Sequence, residues 1–137
     1  MKLTRCLLLL GYLLLCVGCG SKRPTLYPVT GKVFDGEKPA VGALVIFHPV
    51  SAPERGGAKP VGKVGEAGDF TLSWDNYPGA PAGDYVVTVH WRKPKQNPFE
   101  AEQPDLLEGR FATPSTSKLR ATVTEGPTIL PPFRVDE

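Results

Sequence analysis

The stretch Asp84-Tyr-Val-Val-Thr-Val-His-Trp91 predicts the fold most directly, because apolar side chains occupy every second position. Tyr85, Val87 and Val89 would lie on one face of a β-strand, since successive side chains of a strand point to opposite faces. Trp91 continues that face. Val, Thr, Tyr and Trp also suit a half-buried pleated surface. The stretch is therefore predicted to be a strand with one buried face.

Similar short runs recur on both sides of this stretch. One run, Val41-Gly-Ala-Leu-Val-Ile-Phe-His48, is apolar at odd and even positions alike, which is typical of a central strand buried on both faces. Another, Asp69-Phe-Thr-Leu-Ser-Trp74, alternates between apolar and polar residues. The predicted strands cover residues 27–34, 41–48, 60–65, 69–74, 84–91, 117–124 and 129–135. Seven short strands with frequent turns indicate a β-sandwich, because two sheets can bury their apolar faces against each other.

Glycine and proline separate these runs, with 15 of each in the chain. Asp35-Gly36 predicts a turn after the first run, and Ala67-Gly68-Asp69 predicts a hairpin between the third and the fourth. After the N-terminal apolar run, no segment shows helical periodicity over three turns. The predicted class is therefore all-β.

Residues 93–116 depart from the strand pattern, with four prolines and mixed charge. A connection of this length is usually functional or disordered, so it is either a surface crossover between sheets or a binding loop. It contains Phe99. Trp74 and Trp91 each end an alternating strand and would either pack in the core or rim, or form an aromatic platform for glycan or peptide. Phe99, Trp74 and Trp91 are the candidate binding surface.

The N-terminus has the order of a secretory signal. Lys2 and Arg5 precede an apolar run, and Gly18 stands before Cys19. The apolar run over residues 7–17 is shorter than the ~20 residues that a membrane span needs. An uncleaved anchor and an ordinary signal with an incidental cysteine are the alternatives.

Cys16-Val17-Gly18-Cys19 resembles the lipobox of bacterial lipoproteins, although Cys16 stands where leucine is usual. The resemblance implies a signal peptide over residues 1–18, a lipidated tether over 19–26 that is extended and mobile, and one domain over 27–137. Cys19 would carry the acyl chains that bind the membrane. The protein would then be exported and lipid-anchored in the cell envelope, at the outer membrane or facing the periplasm.

Loss of residues 1–18 would change the charge and the cysteine content. Lys2 and Arg5 leave with the signal, so the remaining 119 residues carry fourteen basic and fourteen acidic side chains. A neutral domain without a basic cluster argues against nucleic acid as a partner. Cys19 is the only cysteine that remains, so an intramolecular disulfide is impossible and the core must supply the stability.

Three motifs resemble the carboxypeptidase regulatory-like family. They are the opening Val29-Thr-Gly-Lys-Val-Phe-Asp-Gly with its following Gly42-Ala-Leu-Val strand, Glu66-Ala-Gly-Asp-Phe-Thr-Leu72, and Pro81-Ala-Gly-Asp-Tyr-Val-Val-Thr-Val89. The resemblance covers about residues 27–91 and implies a seven-stranded transthyretin-like (Ig-like) sandwich. It implies no catalysis, because the family's domain accompanies a separate zinc enzyme.

The chain offers few residues for chemistry. His48 and His90 lack a third ligand at zinc-site spacing, and neither Ser73 nor Ser117 has a triad motif. Asp69, Asp75 and Asp84 lie near predicted turns, where aspartate is common, and do not form a calcium-loop pattern. No metal or cofactor is therefore predicted.

Two function classes follow from these observations. The first is a non-enzymatic envelope lipoprotein whose sandwich binds protein or glycan, through a sheet edge or the long loop, or has a structural role. The alternative is a transthyretin-like hydrolase, which would need His and Arg in a dimer channel and a C-terminal Tyr-Arg-Gly-Ser sequence. The ending Pro131-Pro-Phe-Arg-Val-Asp-Glu137 lacks that sequence. The partner and the oligomeric state are left open.

Overall fold

The structure, a computed structural model, describes residues 23–51 and 58–136. Within them the chain forms strands and turns and no helix, so the predicted all-β class is confirmed. The strands are β1 Val29–Asp35, β2 Lys38–Pro39, β3 Leu44–Pro49, β4 Val61–Lys63, β5 Asp69–Thr71, β6 Ser73–Trp74, β7 Tyr77–Pro78, β8 Gly83–His90, β9 Arg120–Val123, β10 Thr128–Ile129 and β11 Phe133–Arg134. The described residues accordingly include no helix able to cross a membrane.

The larger sheet has six antiparallel strands in the order β7-β6-β4-β3-β8-β9. Its longest ladder joins β3 and β8, from Leu44 opposite His90 to Pro49 opposite Tyr85. These two central strands are the solidly apolar and the alternating runs of the sequence. Their inward side chains are fully buried, including Phe47 and Val87.

The smaller sheet is built around β1. On one side β1 pairs antiparallel with β5 and β2, and on the other it pairs parallel with β10 and β11. Pro131 and Pro132 separate β10 from β11. Proline lacks the N–H that a ladder needs, so the predicted last run, 129–135, forms two short strands rather than one.

One hydrophobic core lies between the two sheets. Phe47 of the larger sheet contacts Phe70 and Phe133 of the smaller, with ring centroids 6.4 and 6.5 Å apart. Phe70 and Phe133 stack on each other at 6.2 Å. Aromatic pairs of this kind add about 0.5–1.5 kcal/mol beyond the area that they bury. The arrangement is compatible with a β-sandwich.

The run 69–74 changes sheet at Leu72. β5 pairs with β1 of the smaller sheet, whereas β6 pairs with β4 of the larger. Leu72 is buried between them, and its backbone N–H donates to Val29 at 3.0 Å while its carbonyl accepts from Gly79 at 2.8 Å. The third and fourth predicted runs nevertheless pair antiparallel, at Val61 and Ser73, and the Gly65 N–H donates to the Asp69 carbonyl at 2.8 Å across the turn. The predicted hairpin is therefore confirmed, although β5 itself pairs with β1 of the smaller sheet. Because predicted runs are divided into shorter strands, as 69–74 is into β5 and β6, the described residues form more strands than the seven predicted.

The ladders give the domain two distinct ends. At the first, which we call the Tyr27 end, Tyr27 and Ala80 exchange backbone hydrogen bonds of 2.9 and 3.0 Å. β8 starts at this end with Gly83 and runs away from it. At the opposite end, the Trp91 end, Trp91 follows β8. Residues 1–22, which include the predicted signal and Cys19, lie outside the described part, as do residues 52–57 and 137.

Candidate functional site

The structure does not bring the three predicted aromatic residues together. Trp74 is half-buried beside Tyr77 in the β6–β7 hairpin, at the Tyr27 end. Phe99 projects from the opposite end and is 99% exposed. Trp91 is only 8% exposed and belongs to the core. Three residues so placed cannot form one contact surface.

Trp91 has a packing role that removes it from the candidate surface. Its indole N–H donates to the carbonyl of Val41 at 2.9 Å, which satisfies the polar end of a buried ring. Its backbone N–H donates to the Asp105 carboxylate at 3.0 Å, and its carbonyl accepts from Leu106 at 2.7 Å. Trp91 therefore holds the middle of the long loop against the end of β8. Of its two predicted roles, the structure shows packing in the core and not an exposed aromatic platform.

The first half of the loop, residues 92–104, is exposed and held by polar contacts. Glu102 forms ion pairs with Arg92 at 3.3 Å and with Lys95 at 2.5 Å. The hydrogen bond and the charge of Lys95, and then the charge of Arg92, lower the pKa of the Glu102 carboxyl. The Glu100 carboxylate accepts from the Gln96 backbone at 2.6 Å and from the Gln103 amide at 2.7 Å.

Phe99 stands at the tip of this polar frame. Its backbone N–H donates to the Asn97 side chain at 3.0 Å, and the next N–H, that of Glu100, donates to the Asn97 carbonyl at 3.2 Å. No other large apolar side chain of the described residues is as exposed. A phenylalanine ring so exposed is accessible to a partner, and its contact role stays a prediction.

The second half, residues 105–117, packs against the core. Leu107 and Phe111 are 1% and 5% exposed, and the Phe111 carbonyl accepts from Val89 of β8 at 2.9 Å. The Asp105 carboxylate accepts three backbone N–H bonds, from Trp91, Leu107 and Gly109, at 3.0 to 3.2 Å. The sequence analysis did not identify Asp105; its only signal was an acidic residue just before Leu106-Leu107.

The two histidines lie on the outer face of the larger sheet. Leu44 opposes His90, and Val86 opposes His48 in the β3–β8 ladder. The His48 Nε2 atom is 2.9 Å from the hydroxyl oxygen of Thr88, which is fully buried. Burial, and then the charges of Lys59 and His90, lower the pKa of His48. No group of three or more metal-ligating side chains occurs in residues 23–51 and 58–136.

The predicted serines and aspartates have local contacts. The buried Ser117 hydroxyl donates to the Val87 carbonyl at 2.5 Å, and Ser73 makes a long contact of 3.5 Å with Val61. Asp84 accepts from the Thr122 hydroxyl at 2.6 Å across β8 and β9.

Asp75 has a φ of 47°, and the following Asn76 has a φ of 66°, which places Asp75 in the tight β6–β7 turn. Asp69 lies in the other sheet, opposite Lys32. The three predicted aspartates do not form one cluster.

Comparisons with known proteins identify no relative of this chain. No family model, no curated protein and no solved structure matches it. The functional argument therefore rests on the residues and the geometry described above.

Proposed function

We propose that this chain is a non-enzymatic lipoprotein of the cell envelope whose β domain binds protein or glycan, or has a structural role there. Residues 1–18 are its signal peptide, and acyl chains on Cys19 hold it at the membrane. Residues 19–26 form the tether, and the domain faces the periplasm. The two or three acyl chains of a lipoprotein cysteine anchor firmly, since each buried CH₂ contributes ~0.8 kcal/mol.

The observation that carries the proposal is the separation of the N-terminus from the Phe99 loop. The tether reaches the domain at the Tyr27 end, where Gly79 approaches so closely that a Cβ there would lie 2.6 Å from the Tyr27 carbonyl oxygen. Arg23 lies over the Tyr77 ring at the same end, 3.6 Å from its centroid. Phe99 is beyond the other end of β8, whose eight residues span about 26 Å. A lipid at Cys19 would thus leave Phe99 facing away from the membrane.

The motif positions support a transthyretin-like sandwich of the carboxypeptidase regulatory type. Each of the three motifs coincides with a strand, namely β1, β5 and β8. The Tyr of the third motif has a structural reason, since the Tyr85 hydroxyl donates to the Pro81 carbonyl at 2.6 Å. Burial of this ring raises the pKa of the Tyr85 hydroxyl.

Labelling with a palmitate analogue tests the anchor. The wild-type chain should incorporate label and remain with the membrane fraction, and Cys19→Ala should lose both. Cys16→Ala is the matched control, because this residue stands three positions earlier and should not be acylated. Equal labelling of Cys19→Ala and wild type, or an unlabelled wild type, would reject a lipid on Cys19.

Affinity capture tests the binding role. The full chain in detergent is immobilised and exposed to separated protein and glycan fractions of the envelope. Phe99→Ser should lose the retained material, whereas Val50→Ser, at an exposed apolar residue of the Tyr27 end, should keep it. Retention unchanged by Phe99→Ser would remove the loop from the contact, and no retention at micromolar concentration would contradict the binding role.

A further inference from the structure

β9 is an edge strand with unpaired backbone groups. Among residues 23–51 and 58–136 it pairs only with β8. The Val87 N–H donates to the Leu119 carbonyl at 3.0 Å, which shows that Leu119, just before β9, and Ala121 and Val123 within it are the residues that bond to β8. In an antiparallel pair every second residue turns its N–H and C=O outward. For β9 these are Arg120 and Thr122, whose backbone groups have no hydrogen-bond partner among the described residues.

The other edges of the two sheets are shorter, and most of them contain proline. At the far edge of the same sheet β7 contains Pro78, and the neighbouring edge of the smaller sheet carries Pro131 and Pro132 between β10 and β11. On the remaining edge β2 contains Pro39, and the Asp69 carbonyl of β5 already accepts from the Gly65 N–H at 2.8 Å. Proline on an edge strand prevents another strand from adding to it. β9 contains no proline, and with four residues it is longer than each of these edge strands. It is therefore the edge best suited to accept a further strand.

An apolar groove runs beside this edge, between the two sheets. It has a volume of about 470 Å³ and is lined by residues 118–122 and 128–133. Ile129, on the far wall, is 86% exposed although it belongs to a strand. A strand added to β9 would turn alternate side chains into this groove, because side chains alternate between the faces of a sheet.

The opposite face of the same edge carries two basic side chains, beside the Asp84 carboxylate of β8, which accepts from the Thr122 hydroxyl. Lys118 and Arg120 are exposed there, and neither forms an ion pair with any described residue. Antiparallel pairing of β9 with a second copy, centred on Ala121, would bring the two Arg120 side chains together as diagonal neighbours, which like charges disfavour. Acidic side chains on the added strand would instead meet Lys118 and Arg120.

We propose that β9 is a strand-addition site for an extended segment of a partner protein in which apolar and acidic residues alternate. Backbone hydrogen bonds to Arg120 and Thr122 hold the segment, apolar side chains enter the groove beside Ile129, and acidic side chains face Lys118 and Arg120. The inference rests on the proposed binding role and adds to it a second binding site, apart from the Phe99 loop, with the chemistry of its partner. It requires neither the lipid on Cys19 nor the Phe99 loop.

The probe is a labelled, end-blocked peptide of alternating valine and glutamate, titrated against the full chain in detergent. Fluorescence anisotropy gives the affinity, and amide hydrogen exchange gives the site. The valine–glutamate peptide should bind and slow exchange at Arg120 and Thr122, and a valine–lysine peptide of the same length should bind at least about tenfold more weakly. Equal affinities of the two peptides would overturn the acidic specificity.

Thr122→Pro is the decisive variant, because it removes an outward N–H and leaves the hydrogen bonds to β8 in place. The loss of about one hydrogen bond and the steric block should weaken binding about tenfold or more. Thr122→Val keeps the N–H, so it should bind like wild type; it also controls for the lost bond to Asp84. Arg120→Glu should reverse the preference between the two peptides.

Three results would overturn the proposal. One is undiminished binding by Thr122→Pro with its folded circular dichroism spectrum retained. Another is concentration-dependent protection of Arg120 and Thr122 without peptide, which would make a second copy the occupant. The third is protection of these amides at all concentrations without peptide, which would assign the edge to another segment of this chain. A wild-type chain without palmitate label would reject the lipid anchor, and it would leave these peptide-binding measurements unaffected.

Discussion

The two halves of the segment between β8 and β9 differ in what holds them. Residues 92–104 are fixed by surface carboxylates, above all Glu102, and Phe99 is fully exposed. Residues 105–117 are fixed by buried groups, with Leu107 and Phe111 in the core. The halves have the same length, thirteen residues each, so length does not decide whether a loop is part of the core. The second half belongs to the core because Leu107 and Phe111 are buried there, and because the Asp105 carboxylate accepts hydrogen bonds from its backbone N–H groups.

Leu107→Ala should have the largest effect. Truncation of a fully buried leucine costs about 3 kcal/mol, because it removes apolar contacts and leaves a cavity. Denaturant unfolding of the variant measures this loss. Leu106→Ala is the matched control, since Leu106 is 43% exposed and should change stability by less than about 0.5 kcal/mol. Equal losses in the two variants would show that the second half does not pack as described.

Asp105→Ala should follow with a loss of about 2 kcal/mol, since three backbone N–H groups lose their shared acceptor. Amide exchange at Leu107 and Gly109 should accelerate at the same time. Asp105→Asn retains one oxygen and should lose less. If the alanine variant unfolds at the wild-type denaturant concentration, the carboxylate does not hold this half of the loop.

Acidification should weaken the second half through His48, which shares a pocket of about 400 Å³ with Pro114. The folded-state pKa of His48 lies below its usual value of 6.5, so folding favours the neutral imidazole. Its contribution to stability is therefore present above pH 6.5 and is lost as the pH falls through the folded-state pKa. The melting temperature of wild type should fall more steeply between neutral and acidic pH than that of His48→Gln. Parallel pH profiles would assign the acid sensitivity to other groups.

Glu102→Gln should have the smallest effect on global stability, because exposed ion pairs contribute little. Its melting temperature should equal that of wild type. Trypsin should nevertheless cleave the native variant faster after Lys95, which loses its ion pair. It should spare Arg110 in both proteins, since that guanidinium donates to Leu107 and Val135. A drop in melting temperature as large as that of Asp105→Ala would contradict the contrast between the two halves.

The candidate site was predictable only in part. Phe99 was identified within a proline-rich connection, and the structure exposes it there. Its contact with a partner stays a prediction. Trp91 was indistinguishable from Trp74 in the sequence, because each ends an alternating strand. Burial of Trp91 depends on the carbonyl of Val41, fifty residues away, and on Asp105. Such distant partners leave no local pattern.

The β9 edge was also beyond prediction, although the run 117–124 was identified as a strand. An edge exists only relative to the other strands of its sheet. The prolines that protect the β10–β11 edge are visible in the sequence, but their position beside the groove follows from the parallel pairing of both strands with β1.

The sequence by itself determined where the chain is extended and where it turns, because alternation of side chains and the conformational preferences of glycine and proline act over a few residues. The Asp35-Gly36 turn, with a φ of 62° at Gly36, is one case. Only the tertiary structure decided the sheet to which each strand belongs, the change of sheet at Leu72 and the burial of Leu107 and Phe111. These depend on contacts between residues far apart in the chain, where the burial of a shared core outweighs any local preference.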